Sequence, residues 1–328
     1  MNSVLIYLNW PEKCFRVNGG DLSYLKSLLP KNSTIKTVKT DAAFLRALPR
    51  ATHVITWHFK AEWYAHVPNL KLLATPAAGR ELIAPVPEIF NFQSSIFNLQ
   101  PSTFTLHFGH YHGAIMAESV AGFMLAWARG FFRKGPDDWP RTWLSDKCFT
   151  LAGTKAVIVG YGNVGRAIGE KLSALGVEVR GLTHRECDEV KGLRVESKGL
   201  RVESKGLKGV LGDADWFIMA LPSTTGTDNF LDEKLLRLLP RKCVVVNVGR
   251  GNAIDEAALA RALKAKRLAG AYLDVRKHEP SGTVPEFGAN ERALAQLDNV
   301  VLSPHSSAFS ADYLKRCFAE LKADGCLR

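Results

Sequence analysis

VIVGYGNVGRAIG, residues 157–169, joins a β-branched apolar run to a helix-forming segment through three glycines, Gly160, Gly162 and Gly165. A G-x-G-x-x-G pattern by itself is a loose signal. Here the strand-like KAVIVG enters it and the helix-like NVGRAIGEKLSAL leaves it, which is the context a dinucleotide-binding turn requires. Gly160 permits the tight turn, Gly162 lets a pyrophosphate approach the backbone, and Gly165 lets the helix pack closely on the strand. The free N–H groups and dipole at the helix start attract phosphate. The loop thus predicts cofactor contacts from Gly160, Tyr161, Gly162, Asn163, Val164 and Gly165, with an ordinary βα turn as the plain alternative.

Outward from this loop the βα rhythm continues through VEVRGL, DWFIMAL, KCVVVNV, LAGAYLDV and NVVLSP, with helical segments between most of them. Strands so apolar predict a parallel sheet covered on both faces. Toward the N-terminus, residues 1–100 alternate strand-like runs (VLIYL, THVITW, LKLLATP) with helix-like ones. The segment PSTFTLHFGHYHG, 101–113, breaks that pattern. AIMAESVAGFMLAWARGFFR, 114–133, then predicts a long helix buried on several sides, suited to an interdomain or subunit interface. The expected fold class is α/β: a doubly wound parallel-sheet (Rossmann) cofactor domain over 111–305, and a smaller flavodoxin-like α/β substrate domain over 1–110, completed by the last helix, 306–328.

Composition narrows the function classes. At 46% apolar and 23% charged residues over 328 positions the chain can bury two cores, which excludes disorder. The apolar run at the N-terminus falls far short of the roughly 18 residues of a membrane span, so a cytoplasmic protein without a membrane partner is expected. Six cysteines carry no CxxC or metal-finger spacing and are expected reduced. The formal charge of +11 is spread along the chain with no basic block, which argues for steering small anions to a cleft and against nucleic acid. His107, His110 and His112 invite a metal reading, but no acidic or cysteine partner stands nearby in the chain, so no metal is expected. A tandem GLRVESK at 192–198 and 199–205 has too few copies for a repeat architecture and reads as a lengthened surface connection.

A cofactor lacking a 2′-phosphate usually has its ribose held by an acid at the end of the second strand, about 20 residues past the glycines. That place reads Thr183, His184, Arg185. A hydroxyl, an imidazole and a guanidinium suit a 2′-phosphate, so NADPH is expected over NADH, unless Glu186 or Asp188 moves in. Three polar residues close successive apolar strands: Arg250 in CVVVNVGRGNAID, Glu279 in AGAYLDVRKHEP and His305 in NVVLSPHSS. Ligands of open α/β sheets bind outside the carboxyl ends of the strands, so the three form one candidate site. Arg donates to a carboxylate and an adjacent carbonyl. A His beside a carboxylate can carry the proton that the carbonyl oxygen needs once hydride arrives.

AAG at 77–79, MAESVAGFML at 116–125, GYGNVG, ALPSTTGT at 220–227, NVGRGNAIDEAAL, LDVRKHEP and LSPHSS resemble the D-2-hydroxyacid dehydrogenase family, which includes glyoxylate and hydroxypyruvate reductases, in order and across nearly the whole chain. The resemblance implies NAD(P)H-dependent reduction of a small 2-oxo acid to the D-2-hydroxy acid. Arg250 would hold the substrate carboxylate and 2-oxo group, His305 would donate the proton, and Glu279 would be its partner. It further implies substrate contacts from Ala78 and Gly79, a substrate-lining Trp57 (alternatively a core aromatic), and cofactor contacts from Leu221, Pro222, Thr227, Val248 and Asp274. A homodimer is expected. A dinucleotide-sensing corepressor or scaffold of the same fold is the rival reading, and Glu279, where formate dehydrogenases use an amide, argues against formate oxidation.

Overall fold

The computed structural model describes residues 2–87, 92–94, 104–133, 142–145, 147–183, 194–197, 200–201, 207–279 and 288–328. Two compact units emerge: Met1–His112 with Phe309–Arg328, and Gly113–Ala308.

In chain order the first unit runs β1 (Ser3–Tyr7), α1 (Gly19–Leu28), β2 (Thr34–Thr37), α2 (Asp41–Ala47), β3 (His53–Thr56), β4 (Leu72–Thr75), β5 (Phe92–Ser94) and β6 (Phe104–Phe108). The strands pair in parallel in the order β2-β1-β3-β4-β6-β5, a 2-1-3-4 doubly wound sheet extended by β6 and β5. Asn18 starts α1 through a capping box with Asp21, and Thr40 caps α2. The expected break at 101–113 is corrected here, because its middle, Phe104–Phe108, is strand β6. Phe104, Leu106 and Phe108 alternate onto one buried face, while His107, which makes the run look polar, is buried on the other.

The second unit opens with most of α3 (His112–Ala128) and continues through α4 (Thr142–Ser145), β7 (Lys155–Val159), α5 (Asn163–Ala174), β8 (Glu178–Thr183), β9 (Arg194–Ser197), β10 (Leu200–Arg201), α6 (Leu207–Leu211), β11 (Trp216–Met219), α7 (Glu233–Leu236), β12 (Val244–Asn247), α8 (Glu256–Lys264), β13 (Gly270–Leu273), α9 (Ala289–Ala295) and β14 (Val300–Leu302); α10 (Tyr313–Ala323) returns to the first unit. Its sheet runs β10-β9-β8-β7-β11-β12-β13-β14. The strands' buried residues split by parity. Val157, Phe217 and Val245 face one core with Leu259 and Leu263 of α8; Ile158, Trp216 and Val246 face the other with Val120 and Met124 of α3 and Ile168 of α5. Both faces are covered, which is why these strands are apolar at nearly every position, Lys155 and Asn247 standing at their ends.

Two expectations change. The duplicated heptads are more than a surface connection: their described parts, β9 and β10, pair antiparallel at the edge of the sheet, with Gly181 opposite Glu196 and Leu200 opposite Ser197. A stretch that alternates apolar and charged residues can cover the edge that β8 would otherwise expose. The long helix stops at Ala128 rather than 133. Gly130 takes φ +75°, and the Phe131 N–H reaches back to the Ala126 carbonyl, a left-handed cap that ends the helix. No helix among the described residues is long and apolar enough to cross a membrane.

Candidate active site

The glycine loop follows β7 where the strand order reverses between β7 and β11, the switch point at which doubly wound sheets open a crevice. Gly160 adopts φ +89°, and a Cβ there would lie 2.6 Å from the Ala220 carbonyl oxygen. At Gly165 a Cβ would overlap the Gly160 oxygen, so helix and strand touch only because that carbon is missing. Gly162 is different: nothing lies within 4 Å of its missing Cβ, and as N-cap of α5 it supplies no side-chain cap. The start of α5 at Gly162 is therefore open to a ligand, and a helix N-terminus approached there fits a pyrophosphate. Tyr161 turns the other way. Its ring packs over Gly181 and Gly169, and its N–H bonds to the Leu182 carbonyl at 3.1 Å, so the exposed part of the loop is Gly162 and Asn163.

Arg250, Glu279 and His305 come together after β12, β13 and β14. His305 Nδ1 lies 2.7 Å from a Glu279 carboxylate oxygen. The two side chains remain 49% and 38% exposed, yet sit low enough in the surface for desolvation to oppose charge on each. The Glu279 hydrogen bond outweighs that burial and raises the His305 pKa above its usual 6.5. For Glu279, burial is the largest single influence and pushes upward, but the His305 hydrogen bond and charge, the Arg276 N–H and the Arg250 charge together hold it below 4.5. Arg250 is felt by both members of the pair.

Glycines bring these loops together. A Cβ on Gly251 would overlap the Arg276 carbonyl carbon, so the turn bearing Arg250 lies directly on the segment bearing Glu279. Gly249 likewise lets that turn approach the Leu221 backbone, and buried Asn247 braces it by accepting the Gly249 N–H and donating to the Arg250 carbonyl. His305 has φ +53°, the left-handed region that a side chain rarely adopts. Asp274 holds it there. Its carbonyl accepts the His305 N–H at 2.9 Å, and its buried carboxylate accepts the Ser306 and Ser307 N–H groups and the Ser303 hydroxyl.

The remaining expected residues divide. Thr183 ends β8, whereas His184, Arg185, Glu186 and Asp188 lie outside the described residues. Leu221 is buried and Pro222 exposed; Thr227 closes their turn by donating to the Pro222 carbonyl at 2.7 Å. The Val248 side chain is in the core, which leaves its backbone alone to face a ligand. Ala78 and Gly79 form a loop after β4 in the first unit. Trp57, in the same unit, is buried among Trp10, Phe15 and Tyr313, with its indole N–H on the Phe15 carbonyl.

Sequence reasoning missed the supports of this site. Glu256 and Glu291, both buried, accept the N–H groups of Lys277 and His278 and so fix the loop that carries Glu279. Each acid sits in the first turn of an ordinary helix, and no spacing marks it.

The family model described as D-isomer specific 2-hydroxyacid dehydrogenase, NAD binding domain, matches residues 121–307. A glycerate dehydrogenase of Methylorubrum extorquens is 27% identical over 75% of this chain and 72% of its own. A glyoxylate reductase of Pyrococcus furiosus is 29% identical over 90% and 81%, respectively. Among solved structures, a D-isomer specific 2-hydroxyacid dehydrogenase of Lactobacillus delbrueckii ssp. bulgaricus in its NAD-complexed form superposes with a TM-score of 0.73 at 20% identity, covering 99% of this chain and 96% of that one. Another, of Xanthobacter autotrophicus in complex with NADPH and MES, gives 0.67 at 21%, covering 98% and 94%. These structural likenesses show the fold.

Proposed function

Because the chain belongs to the D-isomer specific 2-hydroxyacid dehydrogenase family, and is thus a nicotinamide-dependent oxidoreductase, we propose that it reduces a small 2-oxo acid of the glyoxylate or hydroxypyruvate type to the D-2-hydroxy acid. The observation that supports this most is the 2.7 Å His305–Glu279 pair under the influence of Arg250. Arg250 presents a planar, permanently charged fork that can bind a carboxylate and at the same time polarise the neighbouring carbonyl. His305, its proton affinity raised by Glu279, releases a proton to the oxygen that becomes alkoxide; Glu279 stabilises the imidazolium beforehand and orients its ring. A bound nicotinamide dinucleotide supplies the hydride. Its pyrophosphate would lie on the α5 N-terminus at Gly162, Asn163, Val164 and Gly165. Asp274 would position His305 in addition to any contact with the carboxamide. Ala78, Gly79 and Trp57 are proposed as substrate-binding residues of the first unit.

Thr183, with no carboxylate at that position, supports NADPH over NADH. A homodimer is supported by the open stripe of α3, which carries Ala114, Gly122 and Leu125 beside the ion-paired Glu118, followed by exposed Phe131 and Phe132, whose apolar surface a second copy would cover. The deciding measurement is oxidation of NADPH and of NADH, followed by absorbance, with a panel of 2-oxo acids. Turnover of a small 2-oxo acid with higher kcat/KM for NADPH is expected. Negligible turnover on the whole panel overturns the reductase reading, and preference for NADH overturns the cofactor reading alone.

A further inference from the structure

His107 is the fourth residue of β6, and its ring is completely buried. Its Nε2 lies 3.0 Å from a carboxylate oxygen of Asp324, the C-cap residue of α10, and 3.6 Å from one of Glu320, a turn earlier on the same helix. The His110 ring stands 5.3 Å from that of His107, centroid to centroid. One ligating atom from each of His107, His110 and Asp324 falls within 4.8 Å of the others. We infer that these three residues form a site for a divalent transition metal of the zinc type, clasping α10 to the end of β6.

Two imidazoles and a carboxylate are a donor set that such ions take and that magnesium and calcium do not. With metal–ligand bonds of about 2.0–2.2 Å, tetrahedral ligand atoms sit about 3.4 Å apart, so the cluster closes onto an ion with shifts on the order of 1 Å. Two carboxylates, Asp324 and Glu320, lie within 3.6 Å of His107 Nε2. A dication held among them answers their negative charge. Both Glu320 oxygens accept the His110 N–H, at 2.9 and 3.1 Å, which keeps helix and histidine in register and leaves Glu320 or water for the fourth position. Asp324 is 39% exposed and His110 partly so, which gives the ion a route from solvent. The chain order concealed the set, because Asp324 stands 217 residues beyond His107.

The test uses tag-free, chelator-stripped protein titrated with Co²⁺ and followed by visible d–d absorption, with Zn²⁺ equilibrium dialysis for stoichiometry. One ion per chain at micromolar concentration is expected, with a rise in melting temperature that EDTA reverses. Asp324→Asn and His110→Gln, neither of them a buried side chain, should each weaken binding at least about tenfold while circular dichroism stays native. Absence of micromolar binding overturns the inference, as does binding that both variants leave unchanged.

Discussion

Two histidines in this molecule face carboxylates at hydrogen-bond distance and end in opposite states. At His305, with 49% of the side chain still exposed, the Glu279 hydrogen bond outweighs desolvation and the ring holds its proton above the usual pKa. At His107, fully buried, desolvation is the largest influence and overrides the Asp324 hydrogen bond, so the pKa falls below 6.5. The nearby acids differ too: Glu279, the partner of His305, is held down, while Glu320, a second carboxylate 3.6 Å from His107, is pushed up to about 7. The residue types are alike, so the sequence pairing does not decide the chemistry. The water left around the pair does. In the roles proposed above, one histidine gives a proton and the other offers a lone pair.

The strongest way to break this contrast is to remove the proton donor. His305→Gln should lower kcat for 2-oxo acid reduction by roughly 10²- to 10⁴-fold, with cofactor affinity by fluorescence titration nearly unchanged. Near-normal turnover in that variant removes His305 from the mechanism. Glu279→Gln is a gentler cut, because it leaves the imidazole and takes away the partner that raises its pKa. Reduction needs the protonated ring, so the alkaline limb of kcat/KM should move toward 6.5, with the protonated fraction falling about tenfold for each pH step of one beyond the new midpoint. Rates on the acid side should change least, and a limb that stays in place shows that Glu279 does not set the proton affinity.

Asp274→Asn tests whether the left-handed His305 is held from below. An amide keeps only one acceptor oxygen and turns an N–H₂ toward the Ser307 N–H, which both carboxylate oxygens accept, so folding stability should drop by about 1–3 kcal/mol in chemical denaturation. The turn conformation itself is of similar cost, so kcat should fall along with stability as His305 relaxes. Unaltered stability would mean that the turn is fixed elsewhere.

The ease of reading these regions from sequence follows the same physics. β7, β11, β12 and β13 are legible because a strand covered on both faces leaves almost no polar position, and the glycines at 160, 162 and 165 are legible because the βα turn has one stereochemical solution. Arg250, Glu279 and His305 stand out as polar residues just past such runs. β6 is obscured by His107, a buried imidazole that reads as a surface residue. The acids that brace the site, Asp274, Glu256 and Glu291, serve backbone N–H groups, and that service requires only a carboxylate at the right place in space. The His107 cluster is invisible for a related reason: its imidazoles and its acids meet only after α10 has folded back beside β6.

The smallest expected effect concerns stability, and it sharpens the comparison because its sign depends on both members of the exposed pair. His305 is raised above 6.5, so its contribution to folding is complete below 6.5 and is lost as pH climbs through the raised value. Glu279 is held below 4.5, so its contribution is present above 4.5 and lost as pH falls through the lowered value. Both hold together between 4.5 and 6.5, so the melting-temperature gap between the native chain and His305→Gln should be widest there and narrow toward alkaline pH. Water around the pair limits that gap to about 1 kcal/mol or less, the ceiling for exposed ion pairs. The same substitution therefore separates two quantities, a large change in turnover and a slight, pH-tuned change in stability. A gap that stayed constant from acid to alkaline pH would mean that His305 is held by packing, and that the proton it carries contributes nothing to folding.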